Sequence, residues 1–265
     1  MPEGDTITRT ARALDRALRG EIVTALQSPL PRLVAAIGRH RLLGQQVAAV
    51  DAHGKHLLLR FSDGAVLHTH QGMRGEWHLY RPKRAWQRPA WLARVVLETP
   101  NVVAVCFGAP VVEILSPLAQ RGHSWLRRLG PDPLHAGFDA SAGVRRLRER
   151  GGREIGVALL DQGGIAGVGN VYKSELLFLC GISPFAAVAE LADSQLERLV
   201  ATATRELRRN LGPGVRRTTP ALSASPLWVY RRARQPCRRC GTPIARRLQG
   251  QPPRSSYWCP GCQPG

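Results

Sequence analysis

Apolar residues recur at Ile7, Ala11, Leu14 and Leu18, with Arg9, Arg12, Asp15 and Arg16 between them and Gly20 beyond. This spacing predicts one amphipathic helix starting at Gly4. From residue 21 to 115 the pattern breaks into short runs: EIVTAL, QVAAVDA, KHLLLRF, AVLHTHQ, EWHLY, ARVVLE, VVAVCF and VVEIL, separated by turns such as SDG and ETPN. Many short strands at close spacing predict an antiparallel sandwich or barrel. Residues 117–140 are rich in Pro and Gly and show neither period, after which helical spacing returns in VRRLRER, EIGVALLDQ, NVYKSELLFLCG and SQLERLVATATRELRRNL. The prediction is an α+β, multidomain chain: a helix plus an antiparallel β domain over 1–120, a linker over 121–138, a helical domain over 139–222 and a separate segment over 223–265. That last segment has too little apolar material to fold unaided.

Its cysteines supply the staple. Cys237-x-x-Cys240 and Cys259-x-x-Cys262 are separated by 18 residues, the spacing of a four-cysteine zinc ribbon, and one structural zinc ion is expected. Zinc-dependent base deaminases share the Pro-Cys-x-x-Cys knuckle but need an upstream His-x-Glu, and none of the eight His has Glu two residues on. Cys106 in a strand and Cys180 on an apolar helix face read as buried packing residues. No run reaches the roughly 18 apolar residues that cross a bilayer. Glu3 and Asp5 stand where a signal peptide is basic and then apolar. A cytoplasmic protein without membrane contact is expected, and in that compartment disulfides are disfavoured.

The net charge of +19 changes the picture, because such an excess of cations favours a polyanionic partner, nucleic acid first. Lys55, Lys83 and Lys173 are the only lysines among many arginines. Arg81, Lys83 and Arg84 form a basic turn. The stretch DQGGIAGVGN at 161–170 lies between two predicted helices, and its glycines can bring backbone N–H groups and a helix N-terminus close to a phosphate, with Asn170 as a further donor. At the other end, removal of Met1 would make Pro2 a secondary amine, a nucleophile beside the carboxylate of Glu3. Trp77, Trp86, Trp91, Trp125, Trp228 and Trp258 read as packing residues.

PEGD at 2–5, GKHLLLRF at 54–61, LGPDPL at 129–134, DQGGIAGVGNVYKSE at 161–175 and RSSYWCPGCQ at 254–263 together resemble the bacterial formamidopyrimidine-DNA glycosylase and endonuclease VIII family, in family order along the whole chain. The resemblance implies a β-sandwich with an N-terminal helix, a helical domain with a helix-two-turn-helix element and a zinc-finger hairpin. It also implies excision of oxidised bases from damaged DNA followed by strand cleavage, by a monomer at the bacterial nucleoid. Carried over position by position, Pro2 matches the nucleophile and Glu3 the proton-transfer carboxylate. Lys55, Asn170 and Arg254 match phosphate-holding residues around the extruded nucleotide, Lys55 standing also with the catalytic group. In Gln71-Gly72-Met73-Arg74-Gly75, Met73 matches a wedge that enters the base stack.

Three departures stand out. Val105-Cys106-Phe107-Gly108 occupies the place of an Arg-Arg-Phe-Gly segment that supplies further wedge residues in the formamidopyrimidine branch. Thr6 stands where a second acid is common. PEGD resembles the endonuclease VIII branch, so oxidised pyrimidines are favoured over 8-oxoguanine. Two rival readings are a glycosylase with Lys173 as nucleophile, from the faint likeness of GVGN and Lys173 to helix-hairpin-helix enzymes, and a noncatalytic zinc-ribbon DNA-binding protein. Residues 212–225 read as a lesion-contacting loop or a plain linker.

Overall fold

The computed structural model describes residues 2–124 and 126–264, so Trp125 and the fate of Met1 lie outside the described residues. The chain forms two compact units, Met1–Arg127 and Arg128–Gly265.

The first unit opens with helix α1 (Gly4–Leu18), whose Ile7, Ala11, Leu14 and Leu18 are all buried. The predicted helix is borne out because its apolar stripe has a sheet to cover: α1 lies on β2 (Val47–His53) and β3 (His56–Phe61), with Asp15 Oδ1 accepting from Val50 N at 2.8 Å. Two four-stranded antiparallel sheets follow, in the orders β2-β3-β4-β8 and β1-β6-β7-β5. The remaining strands are β1 (Ala25–Gln27), β4 (Val66–His70), β5 (Glu76–Tyr80), β6 (Ala93–Glu98), β7 (Val103–Phe107) and β8 (Val111–Leu115). Leu57, Leu59 and Leu67 of one sheet and Val95, Leu97, Ala104 and Cys106 of the other meet α1 in a single core. The alternate face of β6 and β7 makes a smaller cluster, Val96, Val103, Val105 and Phe107 with Tyr80, against which Trp86 and Leu92 of the 81–92 loop pack. Strand β7 is thus buried on both faces, which its unbroken apolar sequence requires.

One expectation for this unit needs correction. Residues 21–115 are not all strands and turns, since Pro31–His40 forms helix α2 with Leu33 and Ala36 buried. Pro31 sits in the first turn, where its missing N–H costs nothing. That proline, followed by apolar positions three apart, is the signal the sequence carries for it. Helix α3 (Pro117–Gly122) closes the unit, capped by Ser116 Oγ, which accepts from Ala119 N at 3.1 Å.

In the second unit, α4 (Ala140–Arg148), α5 (Ile155–Ala158), α6 (Asn170–Cys180) and α7 (Asp193–Arg209) enclose a core around Leu147, Leu159, Tyr172, Leu176, Leu199 and Leu207. Helix α6 is buried along almost its whole length and α7 along one stripe. Strands β9 (Ala245–Gln249) and β10 (Arg254–Trp258) pair as an antiparallel hairpin between the two cysteine knuckles. No helix among the described residues is long and apolar enough to cross a membrane.

Candidate functional site

Pro2 is half-buried and directly precedes Glu3, the N-cap residue of α1. Glu3 and Asp5 are fully buried at the helix N-terminus, where the helix dipole favours negative charge. The first turn closes through Ile7 N donating to Glu3 O at 3.0 Å. Thr6, in place of the second acid, donates its hydroxyl to Asp5 Oδ1 at 3.3 Å.

Lys55 occupies the two-residue turn of the β2–β3 hairpin, where His53 pairs with His56 and Gly54 takes φ +57°. Across the sheet His56 pairs with His70, their rings 4.8 Å apart. Beneath them runs a chain of rings that has no signature in the sequence. His68, fully buried, stands 2.8 Å from Glu113 Oε1 through Nδ1 and 3.0 Å from His56 Nδ1 through Nε2. A carboxylate only accepts, so Nδ1 of His68 carries the proton, and Nε2 accepts from His56 Nδ1. His123 Nε2 reaches the same Glu113 oxygen at 3.2 Å. Burial holds His56 down to about 2, with His70, His68, His53 and Lys55 adding to the effect. Burial likewise lowers His68 to about 4, against the Glu113 hydrogen bond and charge, which raise it. Both rings are neutral at cell pH and add no charge beside Lys55.

The 71–75 loop follows β4. Met73 is 65% exposed at its tip, away from the core that would otherwise claim a methionine. Phe107, by contrast, is fully buried in β7, edge-on to Trp86 and His78. Trp77 is buried and donates to Thr69 Oγ1 at 3.1 Å, and Trp228 and Trp258 pack against Phe178 and Phe185. The packing expectation fails for Trp91, which is 78% exposed.

In the second unit the glycine-rich stretch connects α5 to α6 and is braced from within. Gln162 Nε2 donates to Leu160 O and Val168 O, both at 3.0 Å, and its Oε1 accepts from Gly167 N at 3.0 Å. Asp161 accepts from Gly163 N at 2.9 Å and pairs with Arg150. Asn170 then begins α6. Its Nδ2 donates to Ser255 O at 2.8 Å, leaving that nitrogen a second hydrogen, and its buried Oδ1 has no hydrogen-bond partner among the described residues. Arg254, exposed, is the neighbour of that same Ser255, so helix start and hairpin bring Asn170 and Arg254 together. Lys173, one turn on, is fully buried with Nζ donating to Ser256 Oγ at 2.6 Å. An ammonium sequestered this way fastens β10 to α6 and is not placed to attack a substrate. Glu175 is a fastener too, since its carboxylate accepts from Trp228 N, Val229 N and Tyr230 N at 2.7–2.9 Å and from the Thr218 hydroxyl. Burial pushes its pKa up while those four donors oppose the rise.

The four cysteine Sγ atoms lie within 4.8 Å of one another. Cys240 is 3.4 Å from Cys259 and 3.5 Å from Cys262, and Cys237 is 3.8 Å from Cys262. Sulfurs about 2.3 Å from a tetrahedral zinc stand about 3.8 Å apart, so the cluster fits a structural zinc ion whose four positions are all taken by thiolate. Cys106 and Cys180 are buried, as expected.

Known proteins match the chain along its length. Residues 1–109 match the model of the formamidopyrimidine-DNA glycosylase N-terminal domain and residues 129–219 that of the formamidopyrimidine-DNA glycosylase H2TH domain. A probable endonuclease 8 2 of Streptomyces coelicolor is 41% identical over 271 residues, covering 100% of this chain and 95% of the relative. The DNA-(apurinic or apyrimidinic site) lyase Nei2 of Mycolicibacterium smegmatis is 38% identical, covering 99% of both chains. A solved complex of the Lactococcus lactis Fpg with DNA containing an abasic site shares the fold at TM-score 0.83 and 21% identity, over 99% of this chain and 100% of that one.

Proposed function

Because this chain belongs to the formamidopyrimidine-DNA glycosylase and endonuclease VIII family of bifunctional DNA glycosylases and AP lyases, we propose that Pro2, freed by removal of Met1, is its nucleophile. The secondary amine attacks C1′ of the damaged nucleotide, a C–N bond forms and the glycosidic bond to the base breaks. Opening of the sugar ring leaves a cationic Schiff base, which acidifies the C2′ proton. Its loss expels the 3′ phosphate, and a second elimination expels the 5′ phosphate. Terminal α-amines titrate at about 7.7–8.0 in model peptides, so a useful fraction is neutral at cell pH. Glu3 moves protons at the sugar.

Lys55, Asn170 and Arg254 hold backbone phosphates, and Met73 enters the gap left by the flipped nucleotide. A single chain carries these parts, acting in the cytoplasm on damaged DNA. Oxidised pyrimidines are the preferred bases. Gly4-Asp5 after the catalytic pair, Val105-Cys106 in place of two arginines and the endonuclease 8 names of the relatives support that choice.

The observation that carries the reading is the pair Pro2-Glu3 at the start of α1, where the carboxylate is fully buried. Withdrawing a carboxylate from water is costly unless its surroundings or its role repay it. The test combines the mature mass with incision of lesion-bearing oligonucleotides. We expect a mass lacking Met1, faster incision at oxidised pyrimidines than at 8-oxoguanine, and at least a roughly 100-fold loss in Pro2→Gly and Glu3→Gln with DNA binding intact. Full activity in a chain that retains Met1 would remove Pro2 from the role.

A further inference from the structure

Strand β7 ends without an exposed wedge, because Val105, Cys106 and Phe107 are all buried. Its two neighbours in the sheet, β5 and β6, run antiparallel to it and therefore begin at the end where it stops. Each is preceded by an exposed apolar side chain, Met73 at 65% before β5 and Trp91 at 78% before β6. Both lead-in segments are fastened to the same turn. Gly108 N donates to Leu92 O at 2.8 Å. On the other side Gly75 approaches so closely that a Cβ there would stand 2.9 Å from Ala109 Cα, which only glycine permits. Glu76 and Ala93, the first residues of β5 and β6, both pair with Phe107, so the strand starts that Met73 and Trp91 precede stand two strand spacings apart, roughly 10 Å.

The exposure of Trp91 is not for want of a place to bury an indole, since Trp86 on the same loop packs edge-on to Phe107 at 5.7 Å. One tryptophan closes the small outer core and the other is held in solvent. Around this edge stand Arg74, Arg88 and Arg94, with Arg88 paired to Glu76. An exposed aromatic among cations is the combination that stacks on nucleic-acid bases while the charges hold phosphates.

We infer that Trp91 is a second duplex-reading side chain, which stacks on the base left without a partner when the damaged nucleotide is extruded and Met73 takes its place. The assignment rests on the glycosylase reading above. Every base offers a π-face, so Trp91 stabilises the opened duplex whatever base stands opposite the lesion, and it takes up at the β6 edge a contact that β7 has no exposed side chain to make.

The test uses duplex DNA with a tetrahydrofuran abasic analogue and the fluorescent base 2-aminopurine directly opposite. We expect binding of the full chain to quench 2-aminopurine, Trp91→Ala to leave it bright and bind about tenfold more weakly, and Trp91→Phe to fall between. Thermal melting and zinc content should match the unmodified chain, since Trp91 supports no core. Equal quenching and equal affinity in Trp91→Ala overturn the assignment. Incision of a natural abasic duplex by the unmodified chain, run alongside, separates the two failures. Incision without any dependence of the quenching on Trp91 sinks this inference alone, whereas no incision sinks the glycosylase reading and this one with it.

Discussion

The two units hold their candidate functional residues by opposite means. In the first, Pro2, Glu3, Lys55 and Met73 sit at the rim of a large apolar core, on a helix start, on the β2–β3 hairpin turn and on the β4–β5 connection between the two sheets. In the second, Asn170 and Arg254 are set by polar groups: Ser255 O, Lys173 on Ser256, Glu175 on three backbone N–H groups, and four thiolates. The hairpin has little core of its own, since Val229, Cys237, Ile244 and Cys259 gather on Phe178 of α6. An apolar core tolerates change one methylene at a time. A buried polar network fails when one partner goes.

Removing zinc should break the contrast most sharply. Structural zinc contributes on the order of 10 kcal/mol to small domains. Chelation should free one ion per chain and expose residues 237–262 to hydrogen exchange, leaving α1 and the β-sandwich protected. Uniform loss of protection would mean that the units do not differ. Next in size, Glu175→Ala leaves three backbone donors and a hydroxyl unpaired, at a cost of about 3–5 kcal/mol, read as a lowered melting transition.

The first unit has its own polar weakness. His56 and His68 titrate at about 2 and about 4 in the fold, against about 6.5 in an unfolded chain. Between those values the unfolded state binds more protons, so the stability these rings contribute is fully present above pH 6.5 and is lost as pH falls. For His68, faced by Glu113, His56, His123 and His70, the loss reaches on the order of 3 kcal/mol near pH 4. Melting followed from pH 7 to 4.5 should decline, and His68→Gln should flatten the decline. A parallel slope in the variant would contradict the assignment. The smallest effect is expected for Arg254→Ala: about 1 kcal/mol of affinity on every sequence, with the salt dependence of binding reduced by about one unit of slope.

What the sequence made legible was local. Helix α1 follows from four apolar positions, the zinc cluster from two cysteine spacings, and Asn170 at a helix start from the glycines before it. Pro31 marked α2 just as locally, yet the apolar positions after it fit a strand-rich stretch as well. The histidine chain and the Glu175 clamp had no such signature, because their partners lie 12, 45 and 43 to 55 residues away and meet only once the sheets and helices pack. Exposure is equally hidden: six tryptophans look alike in a sequence, and only packing separates Trp91 from Trp86.

The central claim is that the chain's own second residue becomes covalently joined to DNA. Borohydride reduction during reaction with an abasic duplex, followed by proteolysis and mass spectrometry of the crosslinked peptide, tests it most directly. The adduct should lie on the N-terminal peptide beginning at Pro2. An adduct on Lys173 or Lys55, or none while the strand is still cut, would contradict the account.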